Sequence, residues 1–281
     1  MKTYRDGDYS GERALFMTND AVLFNCRFHD GESPLKESKN LELHGCTFQW
    51  KYPLWNVKDV TVMDTTLEET ARSGIWYAYN LKMTHCTINA PKTFRYAKKV
   101  EIESCRIENA QETFWNCNGI KIKSVYAKGD YFGFHSENVE VNGFGLDGNY
   151  CFDSAKNVVV RNAHLNSKDA FWNCENVTCI NCTIIGEYLG WHSKNLNFIN
   201  CTIESNQGLC YINGLRMINC RLIKTDLCFE YCYNIDAEIT THIDSIKNPY
   251  YGRIHADSIG EIIFDDPKID PNLTKIIVNK Q

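Results

Sequence analysis

Twelve times between residues 20 and 240 the chain returns to one short pattern. The clearest copies read NLELHGCTF (40–48), NLKMTHCTI (80–88), KVEIESCRI (99–107), NVTCINCTI (176–184), NLNFINCTI (195–203) and GLRMINCRL (214–222). The first apolar position of each copy falls at Ala21, Leu41, Val60, Leu81, Val100, Ile120, Val139, Val158, Val177, Leu196, Leu215 and Ile235. The steps are 19 to 21 residues, most often 19. A fixed period of this length is the signature of stacked structural units, each too small to bury its own apolar face.

Inside a unit the alternation has period two. In VEIESCRI, Val100 and Ile102 face one way and Glu101 and Glu103 the other, which is strand periodicity. Ser104 ends the run, and its column holds Gly45, Asp64, Asn162, Asn181, Asn200 and Asn219, residue types that tolerate bent or left-handed backbone. A cysteine column follows at Cys26, Cys46, Cys86, Cys105, Cys182, Cys201 and Cys220, where other units carry Thr65, Val125, Phe144 or Ala163. Such substitutes mark a packing position. One more inward apolar residue follows, such as Phe48, Ile107 or Leu222. The unit leaves no room for a helix, and neither a leucine-rich nor a hexapeptide pattern is present. The expected fold is all-β, a right-handed parallel β-helix of about 11–12 coils of 19–21 residues, stacked about 4.8 Å apart. Residues 1–239 would form the coils and 240–281 a C-terminal cap over the open strand edges.

The totals narrow the function classes. A net charge of −5 over 281 residues argues against a nucleic-acid partner. No run of 18 apolar residues occurs, so no membrane span is expected. The charged opening MKTYRDGDYSGERALF lacks the pattern of a secretory signal, which points to the cytoplasm. There the fourteen cysteines are expected to be reduced, small buried hydrophobes. CINC (179–182) falls on inward columns with no second pair at zinc spacing, so no metal site is expected, and no cofactor.

A second face of the coil carries the chemistry. FWNC occurs at 114–117 and again at 171–174; FGFHS (132–136) and LGWHS (189–193) repeat at the same three-coil offset. An aromatic column runs Phe16, Lys36, Trp55, Trp76, Arg95, Trp115, Phe134, Phe152, Trp172, Trp191. The residues before it, among them Leu54, Ile75, Phe94, Phe114 and Phe171, form a second apolar column. The residues after it form a polar column that includes Tyr77, Tyr96, Asn116, His135, Asp153, Asn173 and His192. Neighbours on a strand point to opposite faces, so the two apolar columns cannot both be internal. Either one column packs under loops, or it forms an exposed aromatic stripe.

Nearly the whole chain resembles known proteins. The repeat as a whole resembles the pectin-lyase-like superfamily of single-stranded right-handed β-helices. SGERALF (10–16), GESPLKES (31–38), WKYPLW (50–55) and GIWY (74–77) resemble a bacterial family described only as a domain of unknown function. The resemblance implies the fold and carries no assigned activity. Polygalacturonases of the superfamily share NTD, DD, GHG and RIK motifs. Here NTD, GHG and RIK are missing, and the only DD, Asp265–Asp266, lies beyond the repeats.

Two functions fit these residues. In the first, the stripe binds or processes an oligosaccharide. Trp55, Trp76, Trp115, Trp172 and Trp191 would stack on sugar rings, with Asn116 and Asn173 supplying hydrogen bonds. Lys36 and Arg95 would hold a carboxylate-bearing sugar. His135, Asp153 and His192 would carry acid–base catalysis of a lyase, hydrolase or epimerase. Asp130, Asp169, Glu112 and Glu187 lie just upstream as further carboxylates. In the second, the protein is a non-enzymatic scaffold whose stripe is an interface in a homo-oligomer.

Overall fold

A computed structural model describes residues 1–279. Its contacts divide the chain into two compact units, Met1–Leu146 and Asp147–Gln281, each a parallel β-solenoid. The first unit stacks eight long strands: Lys2–Arg5, Asn19–Phe24, Lys39–His44, Lys58–Met63, Tyr79–Thr84, Lys98–Glu103, Asn118–Lys128 and Glu137–Asp147. The second stacks seven: Lys156–Asn166, Glu175–Ile180, Lys194–Ile199, Asn213–Ile223, Tyr233–Lys247, Tyr251–Ile263 and Thr274–Val278. The fold is the right-handed parallel β-helix, with about 15 turns in all. Among the described residues the one helical element is the 3₁₀ turn Pro271–Leu273.

The register is the one the repeat dictates. Leu41 pairs with Val60, Val60 with Leu81, Leu81 with Val100 and Val100 with Ile120. In the second unit Val158, Val177, Leu196, Leu215 and Ile235 follow one another in the same way. The bend column adopts left-handed backbone throughout: Asp64, Ser104, Asn162, Asn181, Asn200 and Asn219 have φ of 49, 53, 52, 55, 53 and 49°. Such a conformation costs an L-residue roughly 1–2 kcal/mol. Stacked amides offset part of it. Asn181 Nδ2 donates to Asn162 Oδ1 (3.4 Å), Asn200 to Asn181 (3.3 Å) and Asn219 to Asn200 (2.9 Å).

Three strands exceed the expected 11–12 coils. Lys2–Arg5 pairs with the strand at Ala21 but buries none of its side chains, so no apolar column announces it. At the other end parallel pairing continues into the segment expected to be a cap: Ile235 pairs with Gly252, and Gly252 with Thr274. The steps there are 17 and 22 residues (252 − 235 and 274 − 252), and the inward column holds a glycine, so the 19-residue pattern fades while the ladder persists. Glycine is required at 252, where φ is +142° and a Cβ would run into the Ile235 carbonyl oxygen.

The interior is filled by like residues stacked on like. Phe28 lies on Phe48 (centroids 4.7 Å apart), Phe94 on Phe114 (4.3 Å) and Phe152 on Phe171 (5.8 Å). All fourteen cysteines are buried and unpaired. Burial pushes Cys117 and Cys210 up to about 12 and Cys46 up to about 11, and the thiolate is the reactive form. Native protein should therefore react slowly with a thiol reagent at pH 8, and unfolded, unreduced protein should titrate close to fourteen thiols. A count near zero after unfolding would contradict a reduced core.

Candidate functional site

The FWNC stretch is a turn whose residues alternate between left-handed and ordinary backbone. Phe114 and Asn116 have φ of 58 and 52°, and in the second unit Phe171 and Asn173 have 56 and 52°. This alternation settles the two apolar columns. Leu35, Leu54, Ile75, Phe94, Phe114 and Phe171 are wholly buried. The tryptophans one position later are half-buried, and Asn116, His135, Asn173 and His192 are exposed. The stripe thus lies on the surface, but its rings are tied down. Trp76 Nε1 donates to the Lys92 carbonyl (2.8 Å), Trp115 Nε1 to that of Tyr131 (2.8 Å), and Trp191 Nε1 to that of Gln207 (2.7 Å). Each of these indole nitrogens reaches a carbonyl 16 residues ahead.

In the first unit the stripe is a continuous stack. Trp55 lies on Trp76 (5.0 Å), the Arg95 guanidinium lies 5.1 Å from the Trp76 ring and 4.4 Å from Trp115, and Trp115 meets Phe134 at 4.8 Å. Arg95 is committed to Glu112, which also pairs with Lys92 (3.4 Å). Lys36 sits 3.8 Å from Glu37. His135 stacks on Phe134 (4.4 Å). Tyr77 and Tyr96 stack at 5.2 Å and are 46 and 47% exposed.

In the second unit the ladder hydrogen bonds correct one alignment. Ser154 N donates to the Trp172 carbonyl and Asn173 N to that of Trp191, both at 2.8 Å. Ser154 is therefore the equivalent of Asn173. Asp153 stands in the tryptophan column, not in the polar column expected for it, and Phe152 belongs to the inner column with Phe171. Asn173 Nδ2 donates to Ser154 Oγ (3.3 Å). Below Trp172 and Trp191 the polar column becomes aromatic. His192 stacks on Tyr211 (4.9 Å), Tyr211 on Tyr231 (5.4 Å) and Tyr231 on Tyr250 (5.7 Å). With Tyr233 these rings line a shallow depression of about 430 Å³. Tyr231 Oη donates to Asp266 (3.1 Å), and Lys247 sits among Glu230 and Asp265 (3.3 and 3.6 Å).

One carboxyl stands apart electrostatically. Asp169 is 2% exposed and its Oδ1 has no hydrogen-bond partner. Burial raises its pKa; Glu187 and Asp153 push the same way, against Lys168 and a Tyr150 hydroxyl bond. Its place in the sequence marked it only as one of several upstream carboxylates. A second feature escaped sequence reasoning altogether: a depression of about 670 Å³ on the strand face of the first unit, lined by Asn80, Lys82, Lys99, Glu101, Lys121 and Glu140. Its charges alternate across neighbouring strands, with Lys82 3.4 Å from Glu101. That is ordinary cross-strand pairing. Among the described residues no cluster of His, Cys, Asp or Glu could hold a metal.

Comparison with known sequences places the chain. The model of a protein family of unknown function, DUF3737, matches residues 2–277. The chain belongs to the DUF3737 family. No curated protein matches this family member. Among solved structures it is similar to PfbA, a surface adhesin of Streptococcus pneumoniae. The identity is 10%, the TM-score 0.50, and the match covers 79% of this chain and 82% of the adhesin. It is also similar to the A-module of mannuronan C-5 epimerase AlgE4 from Azotobacter vinelandii, with 10% identity, coverage of 99 and 90%, and a TM-score of 0.43. A PL6 alginate lyase in complex with a trisaccharide matches with 8% identity, 79% coverage of each chain and a TM-score of 0.45. At such identity the likeness to the adhesin is one of fold.

Proposed function

We propose that the chain is a carbohydrate-binding β-helix that holds an extended oligosaccharide along the aromatic row of its second unit. The observation that carries this reading is the ladder His192–Tyr211–Tyr231–Tyr250, whose rings lie 4.9, 5.4 and 5.7 Å apart over an open depression. Flat apolar rings with polar tips present stacking surface and hydrogen bonds together, which is what a sugar ring needs. The rung spacing, about 4.8 Å, is near the length of one sugar unit. Trp172 and Trp191 extend the row, with Asn173 as a polar neighbour. The carboxylates Asp265 and Asp266 and the lysine Lys247 border it, which suits hydroxyl groups or an amino sugar better than a polyuronate. The fourteen unpaired thiols suit a reducing compartment such as the cytoplasm.

In this reading His192 works as a ring of the platform. Among the described residues no hydrogen bond or ion pair holds its imidazole. The test is titration calorimetry with chitin, xylan, alginate and polygalacturonate oligomers. Tyr211→Ala and Tyr231→Ala should each weaken binding about 10-fold or more, the usual effect of losing a stacked hot-spot ring, with melting temperature little changed. Equal affinities in wild type and variants would contradict the site. A second reading, a homo-oligomer, is favoured by the exposed pair Tyr77 and Tyr96 in the first unit. Light scattering at the monomer mass would remove it.

A further inference from the structure

We propose that the tyrosine ladder of the second unit selects a cationic oligosaccharide, one whose sugars carry free amino groups, with Asp266 as the carboxylate that meets the ammonium. This rests on the glycan-binding reading and adds the substrate class to it.

The decisive feature is the acidic pair Asp265–Asp266, which lies beyond the 19-residue repeat and yet stands beside the ladder. Asn248, one residue past the strand Tyr233–Lys247, is wholly buried and holds both residues. Its Oδ1 accepts from the backbone nitrogens of Asp265 (3.1 Å) and Asp266 (3.4 Å), and its Nδ2 donates to Asp265 Oδ1 (2.6 Å). The Asn248 carbonyl in turn accepts from Tyr231 N (3.1 Å). One buried residue thus ties the acidic pair to the rung that carries Tyr231. There the Tyr231 hydroxyl donates to Asp266 Oδ2 (3.1 Å).

A phenol has one proton to donate, and an ionised carboxylate has none. Tyr231 gives its proton to Asp266, so both groups face a ligand as acceptors. This edge of the depression calls for donors, and an ammonium brings three. The charges agree. Lys247 pairs with both Glu230 (3.3 Å) and Asp265 (3.6 Å), one cation against two carboxylates. Asp266 accepts from the backbone nitrogen of Lys268 (2.9 Å), but among the described residues neither its carboxylate nor the exposed Lys268 side chain makes an ion pair. The rings add to the attraction, because the face of a tyrosine is electron-rich and favours a cation. Tyr233 meets Tyr250 nearly at right angles (82°, centroids 6.2 Å apart), so aromatic surface bounds the depression in two orientations. A sugar carboxylate would meet like charge here. An acetylated amine would offer one N–H and no charge.

The experiment compares chitosan and chitin hexamers, which share one sugar chain and differ in whether the amine is free or acetylated. Polygalacturonate serves as the anionic control, and binding is measured by titration calorimetry. Wild type should bind chitosan about 5-fold or more tighter than chitin, the order of one ammonium held against aromatic faces. Raising the salt from about 0.1 to about 1 M shortens the screening length from about 10 to about 3 Å, and the preference should shrink with it. Asp266→Asn keeps an oxygen for the Tyr231 hydroxyl and loses the charge, so the ratio of the two affinities should fall toward one. Asp266→Ser takes its place if the asparagine variant does not fold. Chitin or polygalacturonate bound as tightly as chitosan, or a preference indifferent to salt, would overturn the inference and leave the binding reading standing. So would an unchanged ratio in the folded variant, which would trace the attraction to the net charge of −5 on the whole chain. Failure of wild type to bind any oligomer, charged or neutral, would contradict the binding reading itself, and the inference with it.

Discussion

Replacing Phe114 with alanine is expected to lower the unfolding free energy by about 3–5 kcal/mol, the range for deleting a buried phenylalanine. Phe114 is wholly buried, lies flat on Phe94 at 4.3 Å and meets Phe132 edge-on at 5.4 Å. In a solenoid each rung is held by its two neighbours, so the deletion weakens the interfaces on both sides of its rung. Alanine can take the left-handed backbone there no better than phenylalanine, so nothing is regained in strain. Trp115→Ala, one residue along, should cost clearly less. Its ring is half-buried, and the main losses are one hydrogen bond to Tyr131 and the contacts with Arg95 and Phe134. Denaturant unfolding of the two variants checks the order. An equal loss, or a larger one at Trp115, would mean that the outer row, not the inner, holds this face together.

Glu112→Ala is expected to cost about 3 kcal/mol, at the lower end for stranding one member of a buried ion pair. The Arg95 side chain is 14% exposed, and its guanidinium lies between the Trp76 and Trp115 rings. Among the described residues Glu112 is the one carboxylate paired with it, and Glu112 also pairs with Lys92. Arg95 Nε already lacks an acceptor. With Glu112 gone, the largely buried Arg95 keeps only its stacking, while Lys92, 45% exposed, stays in contact with water. The double change Arg95→Met with Glu112→Leu should return stability close to wild type, because an apolar chain of similar length fills the slot between the two indoles without needing a partner. If Glu112→Ala proves neutral, the guanidinium is held by the rings alone.

What was readable beforehand follows the strength of the physical signal. The strand register was, because Leu41, Val60, Leu81, Val100 and Ile120 occupy a buried column in which a one-residue slip would turn every apolar side chain outward. The left-handed bends were also readable, since asparagine, aspartate, serine and glycine recur there for conformational reasons. The outermost rungs were not. Lys2–Arg5 has no buried face, and past Ile235 the period drifts while the hydrogen-bonded ladder carries on. The place of Asp153 was missed for a different reason. Phe152 matched the tryptophan column by residue type, but backbone pairing, not side-chain likeness, sets the rung, and Phe152 stacks on Phe171 inside. The tyrosine row Tyr211–Tyr231–Tyr250 went unseen because its spacings of 20 and 19 residues fall where FWNC and GWHS have given out.

The direct test of a glycan platform in the second unit is a structure of the protein with the tightest-binding oligosaccharide from the calorimetric set. The account predicts sugar rings stacked on Tyr211 and Tyr231, with the chain running from Tyr250 toward Trp191 and Trp172. A sugar seated instead on the strand face beside Lys82, Glu101 and Lys121 would contradict it.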